Sequence, residues 1–277
     1  MKVSSIFLAR TDSVESYAMT TKCIQSAMES DPDVEFEIII VESNKTYYES
    51  TFIYPDFVKV IIPQEQFNFH RFLNIGIQHA TGDFIALCNN DLIFHQNWFT
   101  EILKIANLHP EILSFSPNGN INKKAQQIDY QIGYKVMQQL KGWCIVVKPK
   151  IFKKIGLLDE TFSFYYADND YGMTLKYYNI KHALVLNSYV EHLEKKAKPK
   201  TELILNEAFI KKYNIPDYLQ EERFHYLYYN ENDFKDFMKF HNKWGSVKIL
   251  YRKNKIADLL LKYNLGYLNR FFLKLKF

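Results

Sequence analysis

The stretch Asn68–Asp91, NFHRFLNIGIQHATGDFIALCNND, decides the fold. Its first half places Phe69, Phe72, Leu73, Gly76, Ile77 and Ala80 at spacings of three and four, the period of an amphipathic helix. From Asp83 the pattern changes to DFIALC, a short apolar run of strand-forming residues. A helix feeding directly into a strand is the repeating unit of an α/β fold. The strand ends abruptly in Asn89, Asn90 and Asp91. Turn chemistry explains such a triplet, because Asn and Asp bond their own backbone and tolerate tight conformations. A ligand site explains it too, since open α/β sheets bind ligands at the carboxyl ends of their strands.

Working outward, strand-like and helix-like segments alternate through roughly the first 190 residues. VSSIFLA is a first strand, and Ser13 caps a helix that runs to about Ser30. EFEIIIVE and FVKVII are near-continuous apolar runs, as strands covered on both faces should be. NWFTEILKIANL reads as a helix, EILSFS as a strand, NGNINKK as a polar loop and WCIVVK as another strand. PKIFKKIG has Pro at a first helical position and closes on Gly156. DYGMTLKYY is a further helix and HALVLN a last strand. The expected fold is a mostly parallel sheet flanked by helices over residues 1–200. A helical, basic and aromatic-rich extension is expected over 201–277, with two short helices at its end because Asn264 and Gly266 interrupt the pattern.

Composition narrows the classes. Hydrophobic residues make up 47% of the 277, enough for a sizeable core. Three widely spaced cysteines without a C-x-x-C pair argue against a disulfide framework or thiolate metal site, and fit a reducing compartment. The first residues read as a strand rather than a signal peptide, and no run approaches the length of a spanning helix. A soluble, cytoplasmic protein is expected. The net charge of +4 is uneven: Ser246–Phe277 holds eight Lys/Arg and one acid, giving +7, so the rest sums to −3. Such a tail suits an anionic surface, and its leucines and aromatics favour a membrane over nucleic acid. The same helices could instead pack on the body or pair two subunits.

There is no G-x-G-x-x-G and no G-x-x-x-x-G-K among the nine glycines. A nucleotide diphosphate on this sheet would therefore need another cation, and a divalent metal on carboxylate oxygens is the simplest. Asp91 is its natural ligand, with Asn89 and Asn90 near ribose or phosphate. In FYYADNDYG, Asp168 and Asp170 follow an aromatic run. Helix capping accounts for one acid, whereas a carboxylate beside apolar rings makes a better base near neutral pH. His192, after the last strand, could be a metal ligand, although a lone His is more often structural. Glu42 ends a buried strand, either as a polar stop or as a contact to base or ribose. Arg71 and Asn74 recur with Gln78 on what reads as an exposed helix face, from which Arg71 could grip a diphosphate.

Taken in order, NIGIQHATGD (Asn74–Asp83), NND (Asn89–Asp91), IGLLDETF (Ile155–Phe162) and Asp168–Asp170 resemble the family 2-type glycosyltransferases of GT-A fold, most like those that build bacterial surface polysaccharides. The resemblance covers about residues 1–195. It implies an inverting transfer from a nucleoside-diphosphate sugar to a hydroxyl of a glycan or lipid-linked glycan acceptor, with Mn²⁺ or Mg²⁺. Glu42 would meet the nucleotide, and Ala9, Arg71, Asn74, Asn89 and Asn90 are assigned with it to the nucleotide-sugar. Asp91 and His192 would hold the metal, and Asp168 or Asp170 would be the base. Gly142 and Trp143 would wall the acceptor. Two departures stand out: Asn89 replaces the first acid of a D-x-D, and Ala167 the Glu of an E-D-x-D. A nucleotidyltransferase should carry a basic glycine-rich loop after its first strand, and LARTDSVES has no glycine. A non-catalytic sugar-nucleotide-binding module is the other alternative.

Overall fold

The computed structural model describes residues 1–119, 128–193, 206–220 and 230–274. The chain opens with β1 (Lys2–Ala9), α1 (Val14–Ser30), β2 (Glu35–Glu42) and β3 (Val58–Ile61). Ser13 caps α1 as the sequence predicts: its hydroxyl accepts from the Ser16 amide, and the Ser16 hydroxyl accepts from the Ser13 amide. Then come α2 (Phe69–His79), β4 (Phe84–Asn89), β5 (Leu92–Phe94), α3 (Trp98–Leu108), β6 (Ser114–Asn118) and β7 (Tyr130–Ile132). The second half holds β8 (Cys144–Val147), α4 (Phe152–Ile155), α5 (Ala167–Tyr177) and β9 (His182–His192). The C-terminal helices are α6 (Glu207–Tyr213), α7 (Asp217–Gln220), α8 (Glu231–Trp244), α9 (Val247–Lys262) and α10 (Asn269–Phe272).

Among the described residues the sheet has nine strands in the order β3-β2-β1-β4-β8-β6-β9-β5, with β7 pairing β9. The expected parallel pairing holds for β3-β2-β1-β4. Beyond β4 the sheet is mixed, since β8 runs antiparallel to both neighbours. β5 and β7, three residues each, were not expected, because so short a run has no readable period. The strand read as HALVLN continues to His192, so that histidine ends β9 rather than following it.

Side chains alternate across the sheet as strand geometry requires. Val3 and Phe7 of β1 point with Ile38 and Ile40 into a core under α1 and α3, whereas Ile6 and Leu8 pack with Ile39 and Val41 against Phe72, Leu73 and Ile77 of α2. Gly76 lets α2 approach this closely, because a Cβ there would collide with the Ile6 side chain. A third core joins α5 to the C-terminal helices through Phe162, Met173, Tyr177, Phe240, Trp244 and Leu250. Asn264, at φ 58, and Gly266 break the tail into α9 and α10, as expected. The boundary expected near residue 200 and most of the polar loop, residues 120–124, lie outside the described residues, as does Leu275 of the tail.

Candidate active site

β4 ends at the carboxyl edge of the sheet, and the polar triplet turns the chain there. The Asn89 amide donates to the Trp143 carbonyl at 2.9 Å, and the Asn90 side-chain amide donates to Thr20 Oγ1 at 2.8 Å. One residue on, β5 pairs antiparallel with the end of β9, setting Leu92 opposite His192. That register brings Asp91 Oδ1 within 3.3 Å of His192 Nε2. Asp91 Oδ1 and His192 Nδ1 are buried, and neither has a hydrogen-bond partner among the described residues. Buried polar atoms are nearly always bonded, so an unpartnered atom on each of these two neighbouring residues points to a ligand. The Trp143 ring stacks on the His192 ring, centroids 5.5 Å apart and planes 16° from parallel. Gly119 leaves room for that indole, as a Cβ there would lie 3.1 Å from Trp143 Cζ2.

The neighbouring Gly142 connects this pair to α5. A Cβ on Gly142 would stand 2.7 Å from Asp168 Oδ2, so only glycine lets that carboxylate pack here. Asp168 accepts from the Asn169 amide at 2.8 Å and has no basic partner among the described residues. Burial lifts its carboxyl above the ordinary range, partly offset by backbone hydrogen bonds from Asn169 and its own amide. Asp170, two residues on, faces the C-terminal helices. Its Oδ1 accepts from Trp244 Nε1 at 2.6 Å and meets Lys243 Nζ at 2.7 Å. Burial raises this carboxyl as well, while Lys243 and Trp244 pull it back. The two acids left open by the sequence therefore have different surroundings: Asp168 joins the Gly142–Trp143 strand end, and Asp170 is tied to α8.

Other expected site residues are engaged within the protein. Glu42 is fully buried and accepts from the Thr11 amide at 3.1 Å, Thr11 Oγ1 at 2.7 Å and the Asn44 amide at 2.7 Å. It braces the β1–α1 turn against the end of β2. The Ala9 methyl lies in the core, and its carbonyl accepts from the Ser43 amide and hydroxyl. Asn74 corrects the reading of an exposed α2 face. It is buried, donating to the Leu158 carbonyl at 2.9 Å and Glu160 Oε1 at 3.0 Å while accepting from the Leu158 amide at 2.9 Å. Arg71 Nε pairs with Glu160 Oε2 at 2.8 Å. Together they clasp the 158–160 turn onto α2, because a buried amide side chain must find partners and the turn's backbone supplies them.

Sequence reasoning missed the groups that steady the Asp168 loop from the C-terminal side. Asp236 of α8 accepts from the Ser163 amide and hydroxyl and the Phe164 amide, and Lys243 bridges Asp159 and Asp170 at 2.7 Å each. No local pattern marks residues whose partners lie some 70 positions away.

The donor set fits part of a divalent metal site. Asp91 supplies a carboxylate and His192 an imidazole, within reach of one ion. Among the described residues no group of three or more His, Cys, Asp or Glu could hold a metal. An ion here would take its remaining ligands from the substrate and water, as hard divalent cations at phosphate sites do.

Comparison with known proteins identifies the family and the fold. The family model described as "Glycosyl transferase family 2" matches residues 14–171, more than half of the chain. Human polypeptide N-acetylgalactosaminyltransferase 18 is 26% identical over 228 residues, 68% of this chain and 38% of that protein, so the chain spans well under half the length of that relative. Among solved structures, GalNAc-T7 with UDP, GalNAc and Mn²⁺ superposes with a TM-score of 0.57 at 10% identity, covering 96% of this chain and 57% of the other. S. aureus TarS 1–349 in complex with UDP-GlcNAc gives 0.53 at 14% identity, covering 98% and 79%. At these identities the two structures speak for the fold, a GT-A-type α/β sheet with helices on both faces. Family model and fold agree, and the chain belongs to glycosyl transferase family 2.

Proposed function

We propose that this chain transfers a sugar from a nucleoside-diphosphate sugar to a hydroxyl of a glycan or lipid-linked glycan acceptor, with inversion at the anomeric carbon. The observation that carries the reading is the Gly142–Trp143 segment. Its indole stacks on His192, beside Asp91, while its glycine packs on Asp168. A candidate diphosphate pole and a candidate base are thus built into one strand end. The UDP and UDP-GlcNAc bound in the two superposed structures support a UDP-sugar as donor. Asn89, with no hydrogen bond to its side chain among the described residues, would contact that donor.

In this reading Asp168 takes the proton of the acceptor hydroxyl as its oxygen attacks the anomeric carbon. The bond to the diphosphate oxygen breaks on the opposite face, so configuration inverts. Asp168 suits the task because burial keeps its proton affinity up and no neighbouring cation lowers it. Asp91 and His192 would hold Mn²⁺ or Mg²⁺, which supplies positive charge where negative charge grows on the leaving diphosphate. Arg71 pairs with Glu160 through Nε and is half-exposed, so its terminal guanidinium N–H groups are the ones that would meet the diphosphate.

Two departures, Asn89 for an acid and Ala167 for a Glu, favour a second reading: a module that binds the sugar nucleotide without turnover. A donor screen separates them. Incubation with a panel of sugar nucleotides and Mn²⁺ should release nucleoside diphosphate from at least one donor, and binding without release across the panel selects the second reading.

The tail carries a further part of the proposal, peripheral attachment to an anionic membrane. No described helix is long and apolar enough to cross a bilayer. α9 turns Leu250, Lys253 and Ala257 inward and leaves Ile256, Leu259 and Tyr263 exposed, with Tyr267 and Phe271 beyond them. Basic and apolar side chains on one exposed surface suit a bilayer interface. Co-sedimentation with anionic liposomes should be lost when Phe271 and Leu259 are changed to Ser, and equal recovery of both proteins with the vesicles overturns it.

A further inference from the structure

A groove of about 1160 Å³ runs between α5, the segment around residues 132–139 and α9. Six lysines line it: Lys135, Lys154, Lys176, Lys181, Lys255 and Lys262. Among the described residues only two carboxylates line the groove with them, and both are already engaged. Asp258 Oδ1 lies 2.7 Å from Lys176 Nζ, and Glu111 Oε1 lies 3.1 Å from Lys181 Nζ. Lys135, Lys154, Lys255 and Lys262 have no carboxylate partner among the described residues. Four uncompensated cations along one concavity make a positive field, which low-dielectric walls concentrate.

Two walls of this groove run to the proposed base. α5 contributes Asn169, Gly172 and Lys176, and Asp168 immediately precedes the first of these. The opposite wall, Gly133–Gln139, continues through Leu140 and Lys141 to Gly142, against which Asp168 packs. A polymer lying in the groove would therefore point one end at the carboxylate that activates a hydroxyl. Of the three aromatic residues in the lining, Tyr134 and Phe240 are buried and Tyr251 is 64% exposed. One open ring is not the succession of stacking faces that single-stranded nucleic acid needs.

We propose that this groove receives an acceptor glycan bearing anionic groups, phosphodiester or carboxylate, and that Lys135, Lys154, Lys255 and Lys262 set the preference for a charged acceptor. The inference rests on the glycosyltransferase reading above and names the acceptor class for that site. The cations bind the chain, and Asp168 acts on the hydroxyl presented at the groove's end.

Binding to the full chain tests this with four probes of matched length: poly(glycerol phosphate), alginate oligomers, neutral malto-oligosaccharides and a single-stranded oligonucleotide. Calorimetry at low and high salt should show binding of the phosphodiester or the uronate oligomer, weakening as salt rises, and none of the neutral one. The tighter of the two anionic glycans identifies the acceptor group. Lys135→Glu/Lys154→Glu/Lys255→Glu should weaken that binding at least tenfold, and the corresponding Gln variant by a smaller factor, so that misfolding of the Glu variant leaves the test intact. Acceptor-free release of nucleoside diphosphate from the donor should be unchanged in both. Equal binding of neutral and anionic glycans, unaltered affinity in both variants, or tightest binding of the oligonucleotide would each overturn the groove. Absence of donor turnover in the unaltered protein counts against the glycosyltransferase reading alone, because the binding measurements need no donor.

Discussion

Two clusters in this molecule put polar side chains to opposite ends. Around α2, Asn74 and Arg71 meet the 158–160 turn, and the Asn74 amide is matched in both directions, oxygen to the Leu158 amide and nitrogen to the Leu158 carbonyl. At the carboxyl edge of β4, Asp91 and His192 bury polar atoms that have no hydrogen-bond partner among the described residues, and Asp168 has no basic partner among them. In the first cluster the Asn74 side chain is spent on the turn, its oxygen and its nitrogen both bonded. The second keeps bonding capacity that the described residues leave open to a ligand, and an unpartnered buried group costs stability. Polarity does not separate clasp from site, since one is built of Asn, Arg and Glu and the other of Asp and His. Unfilled bonding capacity does.

The largest expected effect lies at Asp168. Asp168→Asn keeps the shape and removes the basic oxygen, so turnover should fall roughly 10²–10⁴-fold, the usual worth of a positioned general base. Donor affinity should hold, and the fold should not be weakened. Near-normal turnover in this variant would remove Asp168 from the chemistry, and the same measurement on Asp170→Asn would show whether the loop's other acid had been the base.

A smaller loss is expected at the strand-end pair. Asp91→Asn should cut turnover by at least the 10–100-fold that loss of a supporting group at a metal site costs, and should shift the Mn²⁺ titration to higher concentration. Full activity in excess chelator would break the comparison, since Asp91 and His192 would then be one more internal pair.

The clasp should behave the opposite way. Asn74→Ala strands the buried Leu158 amide and carbonyl, costing about 1–3 kcal/mol in urea unfolding, with kcat/KM for the donor unchanged. A tenfold rise in donor KM without loss of stability would move Asn74 into the site. Asp170→Ala should likewise lower stability by about 1–3 kcal/mol, because Trp244 Nε1 loses its acceptor.

Much of this was legible in the sequence. β1, α1, β2, α2 and β4 announce themselves through local periodicity and through the Ser13 cap, and the strand ends name the polar triplet. What was not legible depends on pairing across the chain. β5 is three residues long, yet its register with β9 is what joins Asp91 to a histidine 101 positions later. Asn74 looked exposed because helical spacing reveals a polar face without revealing that a turn 84 positions away covers it. Asp168 and Asp170 could not be told apart, because the difference is made by Lys243 and Trp244 of a helix that the motif does not include.

The smallest effect is a pH dependence, and it sharpens the same contrast. Burial raises the Asp168 carboxyl above the roughly 3.9 of an unfolded aspartate. Between the two values the folded chain binds the proton and the unfolded chain does not. The stability contributed by that proton is therefore fully present below the unfolded pKa and is lost as pH rises through the folded one. Catalysis has the opposite sign, because the base must be ionised: turnover falls as pH drops through the raised pKa, so the acid limb should lie above the ordinary carboxylate range. In the proposed mechanism one group thus raises turnover and slightly lowers stability over the same interval. Asp168→Asn, which never ionises, should unfold at higher urea than the unaltered protein near neutral pH, with the difference vanishing toward acid. Urea midpoints measured from pH 3 to pH 8, alongside kcat over the same range, check both halves. A difference that grows toward acid would mean that Asp168 is stabilised as a carboxylate by a partner in the folded chain, which would make it another clasp.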